Sequence, residues 1–128
     1  MNLLLDTHAF LWFIDGSARL SSRARELIED QGNPKSVSIA SLWEMGIKIR
    51  LGRLSFEQPF EDFIPRQMEL NGLVLLPLRI VHIAKIVSLP FHHRDPFDRI
   101  LVAQCMTEEL SIVSADPMFD KYATNRLW

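Results

Sequence analysis

The sequence has one cysteine in 128 residues, Cys105, so no internal disulfide can form, and no Cys/His set has the spacing of a structural zinc site. A reducing, cytoplasmic setting is the expectation that follows. No apolar run reaches the roughly 18 residues of a membrane span. The apolar opening Met1–Phe13 lacks a basic start and is interrupted by Asp6 and His8, so it does not read as a signal peptide. Charge of one sign is also missing. Residues 1–64 carry 7 basic and 9 acidic side chains and residues 65–128 carry 7 of each, for a net charge of −2. Bulk charge therefore gives no support for nucleic-acid binding, and any such function must come from a local site. Repeats, low-complexity segments and linkers are absent too. What remains, 48% apolar and 23% charged, is the composition of a globular chain, and 128 residues fit one domain spanning 1–128.

Short apolar runs alternate with helical patterns. Leu3–Leu5, Val37–Ile39, Leu73–Leu76 and Ser111–Ser114 read as strands, with Arg126–Trp128 as a final edge strand. Helices are expected over His8–Ile14, Ser21–Asp30, Ala40–Leu51, Pro59–Leu70, Arg79–Val87 and Pro96–Glu109. In the fifth of these, Ile80, Ile83, Ala84 and Val87 share one face. This alternation predicts an α/β fold, a parallel sheet with helices on both faces.

Sheets of this kind bind ligands at the carboxyl ends of their strands. Asp6 ends the first strand, Asp116 follows the fourth, Glu44 lies in the helix after the second, and Asp95 and Asp98 open the helix at Pro96. Two carboxylates about 5 Å apart repel by roughly 3 kcal/mol at an effective dielectric near 20. A cluster is tolerable only when partly protonated or neutralised by a cation. With oxygen donors alone, that cation is Mg²⁺ or Mn²⁺. Such a site can bind and polarise a phosphodiester.

Each acid also has a purely structural reading. Asp95-Pro96 and Asp116-Pro117 have the form of an N-cap followed by proline at the first helical position. Asp98 would then favour the helix dipole. Ser41 and Glu44 have capping-box spacing, and Glu44 with Lys48 forms an i,i+4 pair. Asp6 alone has no evident helix to cap. His92-His93 read as loop residues, because adjacent side chains diverge, with metal ligation as the alternative. Arg94, Arg99 and Lys48 could touch phosphates or pair with neighbouring acids. Trp12, Trp43 and Phe10–Phe13 read first as core, with a partner groove or dimer contact as the alternative. Leu51–Phe63, which mixes Phe56, Phe60 and Phe63 with acids, suits a partner surface. Cys105 reads as a buried small apolar residue.

Four stretches, Leu4–Trp12, Ser38–Lys48, His93–Gln104 and Ser114–Asp120, resemble in order the motifs of PIN-domain ribonucleases of the VapC toxin type. The only departure is minor, at Ala115, where many relatives carry another small or polar residue. The resemblance implies a three-layer α/β/α PIN-like domain with a short-stranded parallel central sheet. It further implies a Mg²⁺- or Mn²⁺-dependent endoribonuclease acting as the toxin of a toxin–antitoxin pair. Asp6, Glu44, Asp98 and Asp116 would be the catalytic and metal-binding acids, Asp95 an added metal candidate, and Thr7 and Ser114 supporting hydroxyls. RNA is the implied substrate, a cognate antitoxin the implied partner and a homodimer the implied assembly. A housekeeping RNA-processing nuclease without an antitoxin is the alternative. A phospho-acceptor signalling domain fits poorly, because Leu73–Leu76 runs into Pro77-Leu78 with no acceptor Asp. The complete acid set argues against an inert interaction module.

Overall fold

The computed structural model describes residues 1–128. The chain runs β1 (Leu3–Leu5), α1 (Thr7–Asp15), α2 (Ser22–Glu29), β2 (Lys35–Ser38), α3 (Ile39–Arg50) and α4 (Phe60–Leu70). It continues through β3 (Leu73–Leu76), α5 (Ile80–Ser88), α6 (Pro96–Glu108), β4 (Ser111–Val113), a 3-10 turn over Pro117–Lys121, and β5 (Asn125–Leu127). All five strands are parallel, in the order β3-β2-β1-β4-β5. The first strand in sequence is thus the central one. No helix is long and apolar enough to cross a membrane.

Strand alternation sorts the interior into two layers. Leu3 and Leu5 of β1 join Phe10, Ile28, Met45 and Ile64 in a core beneath α1–α4. Leu4, facing the other way, joins Leu101, Val102, Ile112 and Phe119 beneath α6. Sheet and flanking helices together make a three-layer α/β/α architecture. Cys105 sits in the second core, and burial pushes its thiol up to about 12, as expected for an inert packing residue.

Several local expectations are corrected. The apolar stripe of α5 points outward: Ile80, Ile83, Ala84 and Val87 are exposed, and His82 is the residue buried beneath the helix. His82 Nδ1 accepts from the Arg79 N–H (2.9 Å), and its Nε2 lies 2.9 Å from Glu108 Oε1 of α6. That polar anchoring turns the apolar side away. Trp43 is not core but 62% exposed, edge-on to Phe97. It lies two residues from the inward-facing Met45, about 200° around the helix. Ser38, not Ser41, caps α3, accepting from the Ala40 N–H at 3.1 Å. Ser41 lies inside the helix and its buried hydroxyl has no partner, so the capping box with Glu44 does not form.

Candidate metal centre

At the carboxyl ends of β1, β2 and β4 lies a cleft of about 180 Å³ with no apolar lining residue. Asp6, Thr7, His8, Glu44, Lys48, Asp95, Asp98 and Asp116 form its walls. All five acids singled out in the sequence therefore meet in one place. They face a single ammonium, Lys48.

Each acid is fixed by its element. α1 begins at Thr7 with no intervening loop, so Asp6 is its N-cap, contrary to the expectation that Asp6 caps nothing. Asp6 Oδ1 accepts from the Ala9 N–H at 2.8 Å, and the side chain lines the cleft. Burial raises the Asp6 pKa; the Ser114 hydroxyl and the Ala9 N–H pull it back only in part, and Asp116 adds to the rise. Ser114 Oγ also accepts from the Asp116 N–H (3.0 Å), so it braces two acids from neighbouring strands. Thr7 donates to Glu44 Oε1 at 2.6 Å, while Lys48 holds Glu44 Oε2 at 3.1 Å. Asp95 caps α6 through the Phe97 N–H (2.8 Å). Asp98, in the first turn of α6, has no such duty. Desolvation first, then the charges of Asp95, Asp6, Glu44 and Asp116, push its carboxyl up to about 7. Asp116 caps the 3-10 turn, with Oδ1 accepting from the Met118 N–H at 2.9 Å.

The loop before α6 adds a residue that the sequence reading set aside. The two adjacent histidines do diverge, but His93 turns inward and is 6% exposed. Its Nε2 lies 3.1 Å from Asp116 Oδ2 and 3.9 Å from Asp98 Oδ2. His92 stays outside, edge-on to Tyr122. The signal that selects His93 is Tyr122, which is 29 residues away and invisible to local pattern. Arg99 is not free for phosphate: its guanidinium donates to the carbonyls of Pro90 (3.0 Å) and Ile86 (3.2 Å).

The donor set fits a hard divalent cation. Five carboxylates against one ammonium leave an excess of negative charge, which adds to burial in raising the pKa of Asp98 and, through Asp116 alone, that of Asp6. A cation bound between them would remove the repulsion and leave the cleft able to accept a phosphate.

The sequence matches the PIN domain over residues 3–125. No curated protein matches it. Among solved structures, a chain of the VapBC2 complex from Rickettsia felis, bound to a promoter DNA fragment, aligns with a TM-score of 0.71 at 12% identity, covering 99% of this chain and 98% of that one. A chain of a toxin–antitoxin complex from Klebsiella pneumoniae aligns at 0.65 and 13% identity, over 98% and 96% of the two chains. A chain of FitAcB from Neisseria gonorrhoeae aligns at 0.65 and 14% identity, again over 98% and 96%.

Proposed function

Because the chain belongs to the PIN-domain family, we propose that it is a divalent-metal-dependent endoribonuclease and the toxin of a toxin–antitoxin pair. The observation that carries the nuclease reading is the meeting of five carboxylates from different elements in one apolar-free cleft with a single ammonium. Asp6, Glu44, Asp98 and Asp116 would hold Mg²⁺ or Mn²⁺, with Asp95 beside them. When bound, the ion supplies Lewis acidity toward a phosphodiester and lowers the pKa of water.

The chain's own residues do the rest. Thr7 keeps the Glu44 carboxylate turned into the cleft. Ser114 holds the turn that carries Asp116 close to Asp6. Lys48, bound to Glu44 across one turn of α3, offers its charge to a backbone phosphate at the rim. The positive end of the dipole of α6, a 13-residue helix, favours the same anion.

Two apolar surfaces suit two protein partners. Leu11, Trp12, Ile14, Leu54, Phe56 and Phe63 line a groove of about 290 Å³ between α1 and the segment before α4, a fit for the apolar side of an antitoxin segment. The toxin–antitoxin complexes among the structural neighbours support such a partner. The outward stripe of α5 suits a second copy of this chain. Across a two-fold axis each residue near the axis meets its own twin, so an uncharged face avoids like-charge contact.

The test is cleavage of single-stranded RNA by the purified protein in Mg²⁺ or Mn²⁺, with excess EDTA and Asp6→Asn as controls. Cleavage that needs the ion and Asp6 is expected. Undiminished cleavage in EDTA, or by Asp6→Asn, would overturn the reading.

A further inference from the structure

His93 has features that a loop residue packed for stability does not need. Its ring lies parallel to Tyr122, with an interplanar angle of 10° and centroids 5.5 Å apart, and packs against Phe119 at 4.7 Å. Its backbone N–H donates to Tyr122 Oη (2.9 Å), and its Nδ1 lies 3.2 Å from the same oxygen. Ring orientation is thus fixed from behind, and Nε2 is aimed at the acids. Nε2, an Asp98 oxygen and an Asp116 oxygen all lie within 4.8 Å of one another. Bonds of about 2.1 Å to one ion place neighbouring ligand atoms about 3 Å apart and opposite ones about 4 Å apart.

We propose that His93 is a nitrogen ligand of the metal ion, joining Asp98 and Asp116, and that it tilts the site's preference from Mg²⁺ toward Mn²⁺ and Co²⁺. The proposal rests on the reading of the cleft as a divalent-cation site. Tyr122 makes the change of role possible. Without an ion, Nε2–H donates to Asp116 and the Tyr122 hydroxyl can donate to Nδ1. With an ion, Nε2 must present its lone pair, so the proton moves to Nδ1 and the hydroxyl becomes its acceptor. A hydroxyl serves both states because it can donate or accept. Such backing of a ligating histidine fixes its tautomer and raises its basicity. Nitrogen donors favour first-row transition ions over Mg²⁺, which gains little from exchanging a carboxylate or water oxygen for an imidazole.

The experiment uses the full chain with ¹⁵N-labelled histidine, loaded with Mn²⁺, and reads nitrogen coupling by pulsed electron paramagnetic resonance. Direct histidine coupling is expected in the wild type. It should persist in His8→Asn, the histidine that lines the cleft, and vanish in His93→Gln. Calorimetric titration of His93→Gln should show Co²⁺ affinity falling by about 10-fold or more, with Mg²⁺ affinity changed much less. Tyr122→Phe should weaken Co²⁺ binding while keeping the coupling. Mn²⁺ bound to the wild type without nitrogen coupling, or coupling that survives His93→Gln, overturns the proposal and leaves the cation site standing. A wild type that binds neither Mn²⁺ nor Mg²⁺ overturns both. Should His93→Gln fail to fold, the spectra of the wild type and His8→Asn decide the matter.

Discussion

In the cleft, five carboxylates share about 180 Å³ with one ammonium. On α5, Ile80 and Val87 stand 87% and 85% exposed. The first region gathers like charges that water would rather separate, and the second leaves in water side chains that folding would rather bury. Neither arrangement stabilises the isolated chain. Each makes sense against something that binds there, a cation in one case and an apolar surface in the other. The two differ in how far the cost spreads. Charge repulsion in the cleft couples residues on α1, α3, α6 and the turn after β4, whereas the exposed stripe is confined to one helix. Changes in the cleft should therefore trade function against stability, and changes on α5 should alter assembly while leaving the fold alone.

The largest expected effect breaks the cleft. Asp6→Asn and Asp98→Asn should each lower RNA cleavage by at least about 100-fold, the upper end of what losing one supporting contact around a metal costs. Both should raise the melting temperature measured without metal, because a repelling charge is gone. Asp95→Asn can still cap α6 and should keep part of the activity. Cleavage rates and thermal melts of the three variants check this. A lower melting point in Asp98→Asn would mean that its charge is favourable in the fold.

The second prediction reads the same repulsion through pH. A carboxyl raised from 3.8 to about 7 in the folded state, as at Asp98, binds its proton more tightly there than in the unfolded chain. Its folded form is therefore least strained at low pH. Metal-free stability should fall as pH rises from about 4 to 7, and Mg²⁺ should restore the loss. Denaturant melts across that window, with and without Mg²⁺, test it. Asp98→Asn should flatten the slope.

The third turns to the apolar side of the comparison. Val87→Asp places a charge at an exposed position, so the stability of the single chain should change by no more than about 0.5 kcal/mol. Across a two-fold contact it would set like charges face to face. Light scattering after size exclusion should show a dimer reduced to a monomer, with RNA cleavage per chain retained. An unchanged dimer would place the contact elsewhere.

The last prediction concerns the start of α3, where stability and not function is expected to change. Ser38→Ala removes the cap and should cost about 0.5–2 kcal/mol. Ser41→Ala removes a buried hydroxyl with no partner, so it should be near neutral. Equal losses at both positions would contradict the cap assignment.

The α/β class was legible because uninterrupted triplets such as Leu3-Leu4-Leu5 are buried on both faces, the mark of a parallel strand. The acids were legible because Asp6 and Asp116 sit just past strand ends, Asp95 and Asp98 at a helix start and Glu44 in the second turn of the helix after β2, where topology brings residues together. Among the features that were not, three share one cause. The direction of the α5 stripe depends on His82 meeting Glu108, a contact between helices that periodicity does not encode. The cap role of Asp6 depends on α1 starting at Thr7, one residue before the expected His8. The inward turn of His93 depends on Tyr122, reached only through the tertiary fold. Pattern finds which residues face a sheet end; it does not find which partner turns a side chain.

The placement of β1 at the centre of the sheet has a consequence in time. Asp6 is made before Asp116, which follows 110 positions later. At about 5–20 residues per second, roughly 5–20 s pass between them. Until β4 is synthesised, one edge of β1 has no neighbour, and the wall that carries Asp116 does not exist. A chain that has not reached Asp116 therefore lacks one wall of the cleft, while the groove lined by Leu11 to Phe63 is encoded entirely within residues 11–63. The order of the strands therefore delays the closing of the acidic cleft until β4 and the turn after it have been made.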